Sequence, residues 1–133
     1  MKTLIADDDF SHRVLMQAIL KSCGTSHLAV NGVEAVEAVR ASLEIGERPY
    51  DLICLDIMMP EMNGHEALRH IRELEESRGF FSQAGAKIIM ITVLDDIKNS
   101  VSAFHNLYDA YLTKPVDKAQ VMGKLQKLGL IAW

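Results

Sequence analysis

Short unbroken apolar runs alternate along this chain with longer segments whose apolar residues recur every three or four positions. The runs TLIA (3–6), HLAV (27–30), LICL (52–55), KIIMIT (87–92) and the shorter AYLT (110–113) read as strands. The segments between them read as helices. The first covers 11–23, with Ser11 as candidate N-cap, Leu15, Ala18 and Ile19 on one face and Gly24 as the stop. The second, 33–45, follows the turn signal Asn31-Gly32 and sets Val33, Val36, Val39 and Leu43 in helical register. A third over about 65–78 aligns Leu68, Ile71 and Leu74/Glu75, and a further one over about 97–107 turns Val101 and Phe104 inward. The last, 117–128, faces in with Val121, Leu125 and Leu128.

Strands 52–55 and 87–92 lack the polar alternation of a half-exposed sheet, so both of their faces are expected to be buried. Strict strand–helix alternation around such strands predicts an α/β fold, a parallel sheet with helices on both sides. The length of 133 residues and the 49% hydrophobic content fit one domain, 1–133, with a core that needs no disulfide or metal. The irregular feature is the loop GFFSQAGA (79–86), where Phe80 and Phe81 are expected to fold back on the core.

Composition narrows the function. A net charge of −4 argues against nucleic acid as a direct partner. No apolar run approaches a membrane span and the N-terminus lacks the apolar core of a signal peptide. The two cysteines, Cys23 and Cys54, form no CxxC pair, and the histidines at 12, 27, 65, 70 and 105 show no metal-binding spacing. The expectation is a cytoplasmic protein without membrane insertion.

In an open parallel sheet, ligands bind beyond the carboxyl ends of the strands. Those ends deliver Asp7, Asp8 and Asp9 after the first strand, Asp56 after the third, Thr92 at the fourth and Lys114 after the fifth. Singly, each has an ordinary explanation: a helix cap, a first-turn acid such as Asp9 facing the helix dipole, a surface lysine. Together they are a cluster of carboxylates that repel unless a cation joins them, and all-oxygen ligands suit Mg²⁺. A hydroxyl and a lysine beside such a site match the needs of a transferring phosphoryl group.

In order and local wording, LIADDD, LDIMMPEMNG, IIMIT and YLTKP resemble the receiver domain of bacterial two-component response regulators, from about Thr3 to Leu128. The resemblance implies a three-layer (βα)5 doubly wound sheet of strand order 2-1-3-4-5, the flavodoxin-like arrangement. It implies Asp56 as phosphoacceptor from a phosphohistidine on a histidine kinase or histidine phosphotransfer protein. It further implies Mg²⁺ (or Mn²⁺) held directly by Asp8, helped by Asp7 through water, and met by Asp56 and the Met58 backbone carbonyl, with Lys114 and Thr92 stabilising the phosphoryl group. Thr92 and Tyr111 would be the switch pair and Pro115 would follow a cis peptide bond. The phosphorylated state would be read by an unnamed partner on the face formed by the 97–107 helix, the fifth strand and the last helix. The protein would not be an enzyme acting on a separate substrate; it would catalyse its own phosphorylation and dephosphorylation.

Two departures stand out. Val93 follows Thr92 where the family usually has a small residue, and with Met58 and Leu94 it is expected to tune access to Asp56. The segment before YLTKP lacks the family's usual glycine, leaving Asn106 as the candidate left-handed cap. Two other classes stay open. One is an Mg²⁺-dependent phosphohydrolase using the DxD spacing of Asp7 and Asp9; the other is a receiver that serves as a non-phosphorylated scaffold.

Overall fold

The computed structural model describes residues 1–81, 84–93 and 107–132. Strands β1 (Lys2–Ala6), β2 (Thr25–Ala29), β3 (Leu52–Asp56), β4 (Lys87–Thr92) and β5 (Ala110–Thr113) form one parallel sheet in the order β2-β1-β3-β4-β5. Around it lie α1 (Phe10–Leu20), α2 (Gly32–Ser42), α3 (Gly64–Ser77) and α4 (Lys118–Lys127). The expected strand order and fold class are therefore those observed. The helix expected over 97–107, with Val101, Phe104 and Asn106, lies outside the described residues, and so does Leu94.

Each strand sends alternate residues to opposite faces, and both faces are covered. Leu4, Ile53, Leu55, Ile88 and Met90 pack with Ala35, Val36 and Val39 of α2 and Leu68 and Ile71 of α3. Ile5, Cys54, Ile89, Ile91 and Leu112 pack with Met16, Ile19 and Leu20 of α1 and Val121 and Leu125 of α4. Two covered faces explain the unbroken apolar runs of β3 and β4.

Helix details differ from the sequence expectation. Asp9, not Ser11, caps α1, its carboxylate accepting from the Ser11 and His12 amides. The buried stripe of α1 is His12, Met16, Ile19 and Leu20, while Leu15 and Ala18 are exposed. The stripe is displaced because its first position holds a polar residue that apolar periodicity passes over. In α2 the inward residues are Ala35, Val36 and Val39, and Val33 points outward. Asn31 ends the β2 connection as the N-cap of α2. In the 79–86 loop Phe80 is half-buried, but Phe81 is 62% exposed rather than folded onto the core.

The register sets the site. Ala6 pairs with Leu55, Asp56 with Ile91, and Thr92 with Thr113, so the strands end nearly level. Whatever follows β1, β3, β4 and β5 emerges on one edge.

Candidate functional site

All five residues of β3 are buried, and its last, Asp56, is only 5% exposed. The chain then loops and returns directly over it. The Gly64 amide donates to the Ile57 carbonyl at 2.8 Å. A Cβ at Gly64 would sit 2.3 Å from the Asp56 carbonyl oxygen, so only glycine allows this close return. Glu61 takes a left-handed φ of 66° inside the loop. Asn63 closes the loop by capping α3 in a reciprocal box with Glu66.

The end of β1 is held from several sides. The Asp7 amide donates to Ala29 O at 3.0 Å, and the Arg13 guanidinium donates to Asp7 O at 2.7 Å. Asp7 Oδ1 accepts from the Asp9 amide at 2.9 Å. Asp7 Oδ2 meets His12 Nδ1 at 2.5 Å and Lys114 Nζ at 3.1 Å. Lys114 comes from the end of β5, tethered by its amide to Thr92 O at 2.8 Å and followed by a cis bond to Pro115. Its Nζ also lies 3.4 Å from Asp56 Oδ2. One carboxylate oxygen from each of Asp7, Asp8 and Asp56 falls within 4.8 Å of the others, Asp8 being exposed and the other two buried.

Two neighbouring carboxylates are thereby driven apart. Burial, and next the charge of Asp7, push Asp56 up to about 7, only partly opposed by Lys114. Burial would raise Asp7 as well, but the His12 and Asp9 hydrogen bonds and Lys114 bring it down to about 2. For Lys114, burial disfavours the charge, yet the Asp56 and Asp7 carboxylates outweigh it and raise the pKa. Asp7 and Asp56 thus share one lysine, with Asp8 beside them. An all-oxygen donor set with negative charge to spare fits a hard divalent cation such as Mg²⁺.

Comparison with known proteins agrees with this geometry. Residues 3–126 match the response regulator receiver domain. The chain belongs to that family. Among curated relatives, the transcriptional regulatory protein ZraR of Klebsiella oxytoca is 34% identical over 86% of this chain, which spans 23% of that protein. Among solved structures, the receiver domain of sensor histidine kinase PA1611 from Pseudomonas aeruginosa PAO1 has a magnesium ion coordinated in its active-site cleft. It is 25% identical with a TM-score of 0.70, covering 95% of this chain and 94% of that one. A co-crystal structure of the Saccharomyces cerevisiae histidine phosphotransfer protein Ypd1 with the receiver domain of its downstream response regulator Ssk1 gives a TM-score of 0.81 at 28% identity, covering 97% and 88%. Receiver domains are phosphoacceptor proteins of two-component signalling.

Around the receiver's acidic cluster, Thr92 is buried at the end of β4. Met58 and Val93 are open to solvent, 62% and 52% exposed. Tyr111 lies on β5 half-open, edge-on to Tyr108 with 6.4 Å between ring centroids and with Lys124 Nζ 5.8 Å from its own centroid. Asp9, the second acid of the DxD spacing, is occupied as the α1 cap. His12 and Arg13 are the site residues that motif reading missed. A signal was available: a histidine sits five positions after Asp7, in line with the buried stripe Met16, Ile19 and Leu20.

Proposed function

We propose that this receiver is a cytosolic phosphorylation switch of residues 1–133, with Asp56 as the acceptor of a phosphoryl group from a phosphohistidine. The observation that carries the reading is the convergence of Asp7, Asp8, Asp56 and Lys114 on one sheet edge. An ionised Asp56 oxygen attacks phosphorus in line with the P–N bond. The P–O bond of an acyl phosphate forms, the P–N bond breaks, and the donor imidazole leaves, taking up a proton. Lys114 meets the phosphoryl oxygens with its charge, and the Thr92 hydroxyl donates to one of them.

Asp7, Asp8, Asp56 and the Met58 carbonyl would hold Mg²⁺, and Mn²⁺ suits the same oxygen set. The bound cation supplies Lewis-acid charge neutralisation at the transferring group. Asp56 gains most from such a charge, because its own pKa is the one pushed up to about 7. Hydrolysis of the acyl phosphate returns the switch, with Val93, Met58 and Leu94 setting how easily water or a small donor arrives. Thr92 turning toward the phosphoryl group and Tyr111 changing rotamer would shift the face that includes β5 and α4 toward a form read by a downstream partner.

A histidine kinase or histidine phosphotransfer protein is the donor this reading calls for. Incubation with Mg²⁺ and phosphoramidate, whose P–N bond mimics phosphohistidine, tests it by intact mass. A gain of one phosphoryl group that Asp56→Asn abolishes supports the switch. Turnover of the donor that survives Asp56→Asn but not Asp7→Asn points to a hydrolase. No uptake even from a phosphorylated phosphotransfer protein leaves the scaffold.

A further inference from the structure

His12 is 9% exposed, sits on the buried stripe of α1 and presents Nδ1 to Asp7 Oδ2 at 2.5 Å. Its other nitrogen, Nε2, is buried with no hydrogen-bond partner. These contacts assign the ring. An ionised Asp7 can only accept, so Nδ1 carries the proton; Nε2, enclosed without an acceptor, is left as the bare nitrogen. An apolar residue would fill this position without an orphaned nitrogen. The imidazole is therefore explained by what Nδ1 does, not by packing.

What Nδ1 does follows from the oxygens of Asp7. Oδ2 receives both His12 and Lys114, which uses its two lone pairs. Oδ1 receives the Asp9 amide at 2.9 Å. We infer that His12 is a positioning residue for the Mg²⁺ site, pinning Asp7 Oδ2 so that the Asp7 carboxylate keeps one orientation beside Asp8 and Asp56. This rests on the phosphoryl-switch reading, and on its Mg²⁺ site in particular.

The pin has a second consequence. Lys114 lies nearer Asp7 than Asp56, at 3.1 Å against 3.4 Å. When it swings to a phosphoryl oxygen, Oδ2 loses a donor. With His12 in place the oxygen is still satisfied and the carboxylate does not turn. Without His12, Oδ2 is left with no donor once Lys114 leaves, and the carboxylate is free to turn. Hydrogen-bonded partners of metal ligands have this kind of leverage.

The test is Mg²⁺ titration of the whole chain by calorimetry at fixed pH, comparing wild type, His12→Leu, His12→Met and His12→Asn. The Asn amide nitrogen falls near the place of Nδ1 and keeps a donor; Leu and Met keep volume without one. Far-UV circular dichroism selects the folded variants. We expect the Mg²⁺ dissociation constant to rise about ten-fold in His12→Leu and His12→Met, and to return to within about three-fold of wild type in His12→Asn. Phosphoryl uptake at saturating Mg²⁺ falls less than affinity does. An unchanged constant in the donorless variants overturns the inference while leaving the Mg²⁺ site standing. So does an Asn variant as weak as Leu, since packing alone would then explain the loss. A wild-type protein that takes up no Mg²⁺ overturns both the inference and the reading beneath it.

Discussion

Each end of the sheet carries a knot of buried charge, and the two knots are built to opposite rules. At the amino ends of β4 and β5, Arg72 Nε donates to Leu107 O at 2.7 Å, and Nη1 to Glu75 Oε1 at 2.7 Å and Ala86 O at 2.8 Å. Nη2 reaches Asp109 Oδ2 at 3.0 Å. Glu75 Oε2 takes the Ala86 amide at 2.7 Å, and Asp109 Oδ2 takes the Ile88 amide at 2.8 Å, with Lys87 4.0 Å from its other oxygen. Acids and bases balance there, and both carboxylates are fully engaged. At the carboxyl ends, Lys114 faces Asp7 and Asp56 with Asp8 beside them, and its contact with Asp56 is 3.4 Å. The balanced knot ties loops together. The unbalanced one leaves Asp56 buried with its pKa pushed up to about 7.

The contrast breaks first at the balanced end. Arg72→Met leaves the buried Glu75 without its cation, and we expect a loss of about 3 kcal/mol in denaturant unfolding, with phosphoryl uptake by the folded fraction retained. At the other end, removing charge should stabilise. Asp56 has a folded pKa of about 7 against 3.8 for the free group, so between those values the folded state holds the extra proton. Stability without Mg²⁺ therefore falls as pH rises from about 4 through 7 and then levels. Asp7, lowered to about 2, acts oppositely: its contribution is complete above about 4 and is lost as pH falls toward 2. Asp56→Asn should flatten the decline above pH 4 and stabilise the protein on the order of 2–3 kcal/mol at pH 8. Thermal unfolding across pH, with and without Mg²⁺, reads this directly; Mg²⁺ should restore most at high pH.

Smaller effects sharpen the comparison. Gly64→Ala drives a Cβ into the backbone of Asp56 and Ile57, and overpacking of this kind costs about 1–3 kcal/mol. It should also slow phosphoryl uptake, which an equally destabilised variant at the balanced end would not. Val93→Ala should speed both loading by a small donor and loss to water by a few-fold without changing stability, as followed by radiolabel decay. Equal rates would remove Val93 from the account of access.

The sheet was legible because β3 and β4 are apolar on both sides and every strand run is followed by a helix-period segment, signals that survive without any contact information. The site was legible because Asp7, Asp8, Asp56 and Lys114 stand at or just past the ends of such runs. Individual roles came from the family resemblance, not from spacing. Helix faces were harder. Periodicity counts apolar residues, so the stripe of α1 was displaced to Leu15 and Ala18 because His12 occupies its first inward position. The Arg72–Glu75 knot was invisible likewise: periodicity sets Glu75 beside Leu68 and Ile71, but not the Arg72 guanidinium and Ala86 amide that satisfy it there.

We propose Asp56 as the reactive member of the cluster and Asp7 as its fixed neighbour. This is tested most directly by phosphorylating the protein with phosphoramidate and Mg²⁺ and locating the modified residue by fragment mass. The account predicts one phosphoryl group, on Asp56, lost on chelation of Mg²⁺ before the reaction and unrecovered in Asp56→Asn. A phosphoryl group on Asp7 or Asp8, or uptake undiminished in Asp56→Asn, would contradict it.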